Sequence, residues 1–384
     1  MTLNNKFKIA MAVIATSCSV LFSCNKENNI MGNIDKEISN LNIFNDSSIN
    51  LYGRSKVIDY NNKKQVFFGF TATGFELICE PTSEINEIKA TLLSESESHE
   101  HQYIKTYIDG KEKEVIELNK GEQEVTLFKN LQAGKHQLKV LKMNELSTTK
   151  LYMSSLAGSN LKYYKRTYNP KRNLIEFYGD SITAGYGNLG DPSSKTYLTK
   201  EQDGTLSYAQ QLADKLDCDS SIIAWSGIAL TKTLAPYGVD MMDKYDTYDG
   251  VNKYDGENNK PKIAIINLGS NDYGGYFDEN KSSAEKKKGI EEFIKNYGII
   301  VDYIKARSPE CKIISCYNMC YDIGTKLISA IKTSNSNINE KYGANTGYVL
   351  QFGGNQSGSN GHPSLIAHNT YTKILYDFIE KNIK

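Results

Sequence analysis

Ser181, Gly227, Asn271 and His362 are the residues of this 384-residue chain whose types and settings could together carry chemistry. Each stands in a glycine-bearing turn: Gly179-Asp180-Ser181, Ser226-Gly227, Gly269-Ser270-Asn271-Asp272 and Asn360-Gly361-His362-Pro363. A serine hydroxyl becomes a useful nucleophile only when a base takes its proton. Of the five histidines, His99, His101 and His136 fall in a half of the chain that reads as β structure. His362 lies in a loop entering the last helix and is the candidate base. His368, inside that helix, reads as a surface or packing residue. Acyl transfer also needs donors aimed at the developing oxyanion. The N–H of Ser181, the N–H of Gly227 and the side-chain amide of Asn271 are suited to that task. Asparagine donates there without adding a charge, and glycine lets a substrate approach the backbone. The chemistry implied is attack of Ser181 on a carbonyl carbon.

These turns need rigid elements behind them. Asn173-Leu174-Ile175-Glu176-Phe177-Tyr178 reads as a strand, and it breaks at Gly179. Ser181 would then sit at a strand's carboxyl end, where open α/β sheets bind ligands. Further strands are expected over 221–225, 262–268, 312–317 and 348–351. Helical patterns cover 207–216, 284–306, a region from about 326, and 363–380, where Pro363 suits a first helical turn. Alternating strands and helices predict a mostly parallel sheet covered on both faces, an α/β domain over 165–384.

Residues 51–164 read differently. Short runs rich in strand formers recur about every ten residues, among them 65–70, 75–79, 88–93, 103–108, 125–128 and 136–142. Asp109-Gly110 is a hairpin signal. This half predicts an all-β sandwich, a jelly roll, over 47–164. It holds no catalytic constellation; its expected role is accessory, shaping one wall of the site or binding.

Residues 1–23 have the form of a lipoprotein signal peptide. Lys6 and Lys8 precede an apolar run that ends in Leu21-Phe22-Ser23-Cys24, similar to a lipobox. Cys24 is then the lipid attachment site and 24–46 a tether, giving a membrane partner through acyl chains and a place in the bacterial cell envelope. The lipoprotein is expected at the outer membrane, facing the periplasm or the surface. Lysine plus arginine and aspartate plus glutamate both number 45, so nothing points to nucleic acid. Cys79, Cys218, Cys311, Cys316 and Cys320 lack paired metal-site spacing and read as core residues, with no metal expected.

The four turns occur in the order of the four blocks of the GDSL, or SGNH, hydrolases, which the chain resembles over 170–384. The run Gly179-Asp180-Ser181-Ile182-Thr183-Ala184-Gly185-Tyr186-Gly187 is similar to the nucleophile block of carbohydrate esterase family two. The β-sandwich placed in front, and its stretch ending Lys142-Met143-Asn144-Glu145, resemble the same family. The resemblance implies a flavodoxin-like three-layer hydrolase domain behind the sandwich. It also implies a cofactor-free esterase of the acetyl xylan esterase type, removing acetyl groups from plant-type polysaccharides such as xylan or glucomannan. One position departs from the superfamily. An aspartate usually stands three residues before the histidine, and here that residue is Ser359. The carbonyl of Ser359 or Asn360 is the expected orienter of His362, with a distal acid as the alternative. Asp180 reads as a turn-stabilising residue. Asp272, Tyr186, Trp225 and Tyr273 are the candidate substrate-binding residues, Asp272 by organising the Asn271 loop or binding a sugar hydroxyl, the rings by stacking. Two other readings stay open: an esterase or lipase for other acyl esters, and an inactive glycan-binding lipoprotein. A neutral histidine base predicts activity rising through about pH 6 to 7.

Overall fold

The computed structural model describes residues 34–38, 41–44, 49–96, 100–166, 173–256 and 259–383. The expected signal peptide, Cys24 and most of the expected tether lie outside the described residues.

The first half folds as strands Ile34–Ile38 (β1), Asn50–Tyr52 (β2), Lys56–Tyr60 (β3), Lys63–Phe68 (β4), Gly74–Pro81 (β5) and Glu87–Ser96 (β6). Gln102–Ile108 (β7), Lys111–Leu118 (β8), Gly121–Lys129 (β9), His136–Lys142 (β10), Thr149–Ser159 (β11) and Leu161–Arg166 (β12) follow. They make two antiparallel sheets, one ordered β1-β12-β5-β10-β7-β8 with β2 also on β5, the other β3-β4-β11-β6-β9. Strand β6 alternates strictly, burying Ile88, Ala90 and Leu92 against Leu77, Leu138 and Val140 of the facing sheet. At Asp109-Gly110 both residues adopt positive φ, 53° and 76°, the pair a two-residue hairpin turn requires.

Residues 34–38 correct the expected tether. Strand β1 pairs antiparallel with β12, covering backbone groups that would otherwise be an open sheet edge. Ile43 and Ile49 are buried in the sandwich core, so the sandwich begins before residue 47.

The second half is a five-stranded parallel sheet of Leu174–Gly179 (β13), Asp219–Ala224 (β14), Pro261–Asn267 (β15), Lys312–Tyr317 (β16) and Gly347–Gln351 (β17). Its order is β14-β13-β15-β16-β17. In chain order the helices are Ser181–Ala184 (α1), Tyr208–Lys215 (α2), Ser270–Tyr276 (α3), Ser283–Arg307 (α4), Gly324–Tyr342 (α5) and Leu365–Asn382 (α6). Helices α2 and α6 bury Tyr208, Leu212, Tyr371 and Leu375 on one face, with Phe177 of β13. Helices α4 and α5 bury Phe293, Ile300 and Leu327 on the other, with Tyr178. Strands covered on both faces become continuous apolar runs, as in β15. The last helix starts at Leu365 with Ser364 as its cap, so Pro363 precedes it instead of opening its first turn.

The two halves share one core. Phe67 and Tyr152, opposite each other on β4 and β11, turn away from the sandwich interior and pack with Tyr178, Ile223 and Leu230. Arg54, buried in the sandwich's β2–β3 loop, donates to the carbonyls of Tyr245 and Thr247 at 2.8 and 2.7 Å. Its guanidinium lies 3.8 Å from Glu176 of β13, which Arg307 of α4 grips through two nitrogens at 3.0 and 2.6 Å. Removing the charge from one partner of a buried ion network typically costs about 3–5 kcal/mol. Glu176→Gln is therefore expected to lower the unfolding free energy by that order, seen in urea as a lower midpoint at unchanged m. An unchanged midpoint would show that the network contributes nothing net.

Candidate active site

In register, Gly179 of β13 lies opposite Ala224 of β14 and Asn267 of β15. The three strands therefore end at one level, and the turns bearing Ser181, Gly227 and Asn271 leave the same edge of the sheet. Ser181 opens the one-turn helix α1. Asp180 caps that helix, its Oδ1 accepting the Ile182 N–H at 3.0 Å, as expected of a turn-stabilising residue. Burial pushes the Asp180 carboxyl up to about 7.

His362 reaches Ser181 from the far end of the chain, with Nε2 2.8 Å from Oγ. Its Nδ1 lies 3.0 Å from the carbonyl oxygen of Asn360. A carbonyl only accepts, so Nδ1 carries the proton and Nε2 is left to accept from the serine hydroxyl. Ser359 does not share this role: Nδ1 meets the Asn360 carbonyl, and the Ser359 carbonyl instead accepts the backbone N–H of His362 at 3.2 Å. The place of a distal acid is likewise taken by the Asn360 carbonyl.

Asn360 can present its carbonyl because it is left-handed, at φ 49° and ψ 38°, a conformation asparagine tolerates better than most residues. Its N–H donates to Ser194 O at 2.8 Å and its Nδ2 to the Tyr186 hydroxyl at 3.0 Å. The loop is locked to the nucleophile block through Ser359 N–H, which donates to Gly187 O at 3.0 Å. Gly187 has φ +67°, and a Cβ there would stand 2.6 Å from Ser359 O. Only glycine allows that approach. Tyr186 lies between two rings, 4.2 Å from His362 and 4.3 Å from Tyr197.

Asn271, on the first turn of α3, donates one Nδ2 hydrogen to Ile228 O at 2.9 Å, which leaves the second hydrogen of its amide for an acceptor in the site. Gly227 sits at φ +77° in the loop after β14. Asp272 is not a sugar ligand. It is fully buried and accepts Leu230 N–H at 2.8 Å, Thr231 N–H at 3.0 Å and the Thr231 hydroxyl at 2.8 Å. It thereby pins the loop that follows Gly227, and burial pushes its carboxyl up to about 6.

The expected stacking rings all have other partners. Trp225 packs under the Lys244 ammonium, 4.9 Å from the ring centre, and against Gly250. Tyr273 packs on Phe277 and Tyr321, whose hydroxyl holds Ser270 O at 2.9 Å. Sequence reading missed Tyr237, which is 72% exposed and lies over Gly227. Pro236-Tyr237-Gly238 is a turn signal, and nothing in it marks the ring as part of a site mouth. His368 is buried, with Nδ1 accepting the Tyr208 N–H, so it is a packing residue. The five described cysteines, Cys79, Cys218, Cys311, Cys316 and Cys320, are all buried, as expected of core residues.

Residues 177–348 match the GDSL-like Lipase/Acylhydrolase family, and residues 51–160 match the Carbohydrate esterase 2 N-terminal family. The chain joins a carbohydrate esterase 2 N-terminal domain to a GDSL-like acylhydrolase domain. It is 29% identical over 284 residues to the cellulase/esterase CelE of Acetivibrio thermocellus, covering 71% of this chain and 33% of that protein. It is 25% identical over 205 residues to an acetylxylan esterase / glucomannan deacetylase of Cellvibrio japonicus, covering 48% of this chain and 53% of that protein. The chain thus spans about a third and about half of the length of these curated relatives. In fold it is similar to a family two carbohydrate esterase from Clostridium thermocellum in complex with cellohexaose. The TM-score is 0.73 at 24% identity, over 86% of this chain and 98% of the other.

In this GDSL-like domain, burial disfavours the imidazolium of His362 and lowers its pKa below the ordinary 6.5, against the smaller raising effect of the Asn360 hydrogen bond. The base must be neutral, so activity is lost as pH falls through the lowered value and is level above it. The rise with pH is therefore expected to centre lower than that of an unperturbed histidine. A kcat/KM profile on an acyl ester with its midpoint at or above about 6.5 would contradict this.

Proposed function

We propose that this chain is a carbohydrate O-acetylesterase that deacetylates plant-type polysaccharides such as xylan and glucomannan by serine catalysis. The observation that carries the reading is the Ser181 Oγ–His362 Nε2 contact at 2.8 Å, with Nδ1 held by the Asn360 carbonyl. Ser181 Oγ attacks the acetyl carbonyl carbon while its proton passes to His362 Nε2. The N–H groups of Ser181 and Gly227 and the Asn271 amide receive the oxyanion. Collapse breaks the ester bond, and the sugar oxygen leaves with the proton from His362. Water, activated by the same imidazole, then releases acetate from Ser181. The substrate class is supported by the names of the relatives, which pair esterase with xylan, glucomannan and cellohexaose.

The test is acetate release from acetylated xylan and glucomannan by residues 25–384, beside Ser181→Ala and His362→Ala. Release by the parent and its loss in both variants is the expected result. Release that survives Ser181→Ala would overturn the mechanism. Hydrolysis of long-chain esters alone would move the substrate to other acyl groups, and tight glycan binding without release would make the chain a binding protein.

The lipobox-like Leu21-Phe22-Ser23-Cys24 supports attachment to a bacterial membrane through acyl chains on Cys24, as an outer-membrane lipoprotein. Cys24→Ala is expected to move the protein from the membrane to the soluble fraction, and unchanged fractionation would refute the anchor.

A further inference from the structure

Glu145 belongs to the sandwich, in the loop between β10 and β11, yet its carboxylate is spent inside the α/β domain. It is fully buried. Its Oε2 accepts the backbone N–H of Ser226 at 2.6 Å, and its Oε1 accepts the Ser226 hydroxyl. Oε1 also accepts an amide hydrogen of Gln202 at 3.0 Å. Ser226 immediately precedes Gly227, whose N–H is a proposed oxyanion donor.

Gln202 extends the same contact to the rest of the site. Its Nε2 lies 3.3 Å from Ala184 O, at the end of the nucleophile helix α1. Its Oε1 accepts the Tyr197 hydroxyl at 2.6 Å, and Tyr197 stacks on Tyr186, which packs on His362. One carboxylate from the sandwich therefore touches the Gly227 turn directly, and through one glutamine reaches the nucleophile helix and the ring stack behind the base.

The residues before Glu145 hold it in place. Lys142 Nζ donates to Asn144 O at 2.6 Å. Met143 O accepts the Gly204 N–H at 2.9 Å and the Thr71 hydroxyl at 2.7 Å. Asn144 accepts Tyr103 N–H at 2.8 Å and donates to Thr199 O at 2.8 Å. The Glu145 carbonyl accepts the Thr149 N–H at 3.2 Å. The Lys142-Met143-Asn144-Glu145 stretch is thus a clamp across the domain boundary, with Glu145 at its tip.

Three donors meet this side chain, so it must offer two accepting oxygens. A carboxylate does; a glutamine would aim an NH₂ at one of the donors. Fixing the Ser226 N–H restricts the turn in which the next N–H must point at the oxyanion. Such donors act because they are preorganised, and losing one outright costs about 10²–10³ in kcat. We propose that Glu145 is a positioning residue that completes the active site from the sandwich, holding the Ser226-Gly227 turn so that the Gly227 N–H meets the oxyanion. This inference rests on the esterase reading above.

The test is the rate at which a fluorophosphonate labels Ser181. There the serine oxygen bonds to phosphorus, fluoride leaves, His362 takes the proton, and the phosphoryl oxygen occupies the oxyanion position whatever the natural acyl group. Glu145→Gln is expected to slow labelling at least tenfold. On a small acetyl ester it should lower kcat by a similar factor, with KM within about twofold, because the turn acts on the transition state. Should that variant melt below the assay temperature, Glu145→Asp, which keeps the acid and shortens its reach, carries the same expectation. Parent-like labelling in a folded variant, or a raised KM with unchanged kcat, would overturn the positioning role and leave the esterase reading intact. A parent whose Ser181 is not labelled would overturn that reading, and this inference with it.

Discussion

A histidine without a carboxylate partner takes its orientation from backbone, and backbone points reliably only when its own conformation is pinned. That constraint governs the site. The Asn360 carbonyl faces Nδ1 because the residue is left-handed, its N–H is tied to Ser194 and its side chain to Tyr186. The loop can lie there because Gly187 and Gly358 admit a contact that any side chain would block, a Cβ at 358 standing 2.5 Å from Gly187 O. The glycines of the nucleophile block thus serve the base as much as the serine. Where a carboxylate normally holds the imidazole, imposing the wrong tautomer costs about 10⁴ in kcat. Here the interlocked loops carry that burden.

The loops are held in turn by two packed layers and a second domain. Strands β13, β14 and β15 set the level at which three turns emerge, and Asp272 ties the segment after Gly227 to α3. The sandwich reaches the α/β domain at several buried polar points. Arg54 meets Glu176 deep in the sheet, and Lys105 of β7 pairs with Asp203 at 2.6 Å, both side chains being buried. Asp203 also caps the short turn at Gly204–Leu206 beside Gln202. Buried ions with two or more partners each are worth most as specifiers of geometry, since desolvation offsets much of their attraction. Their placement next to the segment that contacts α1 makes the boundary part of the site's support.

Most of this was legible where physics acts locally. Strands buried on both faces become apolar runs ended by glycine turns, so β13, β15 and β16 could be read directly. The residue types at those turns named the chemistry. What escaped depends on distant partners. Strand β8 reads Lys-Glu-Lys-Glu at its start because it lies exposed at a sheet edge, so no alternation betrays it. Asp272 could have faced substrate or protein; the deciding partners, Leu230 and Thr231, are some forty residues earlier. The choice between the Ser359 and Asn360 carbonyls turned on backbone handedness. The Asn360-Gly361 pair does carry that signal, since asparagine followed by glycine favours positive φ at both positions. Glu145 was visible only as part of a resemblance, because a single acid in a β segment says nothing of the turn it will meet.

Replacing a carboxylate by a carbonyl changes the energetics of the base in both of its states. Under the proposed mechanism, His362 becomes an imidazolium as Ser181 attacks, and the charge must be accommodated in a buried site. A carboxylate would attract that charge strongly, but it would also favour the imidazolium at rest and raise the pKa. The Asn360 carbonyl raises it only weakly, so burial prevails and the resting histidine stays neutral to lower pH. Part of the lost attraction is returned by the face of Tyr186, 4.2 Å from the imidazole, which can draw a transient cation by about 0.5–2 kcal/mol. Because that attraction acts on the charged ring, it too favours the imidazolium, but far less than a buried carboxylate would. The net effect of this setting is a base that stays neutral to lower pH than a free imidazole, and so is ready to take the Ser181 proton.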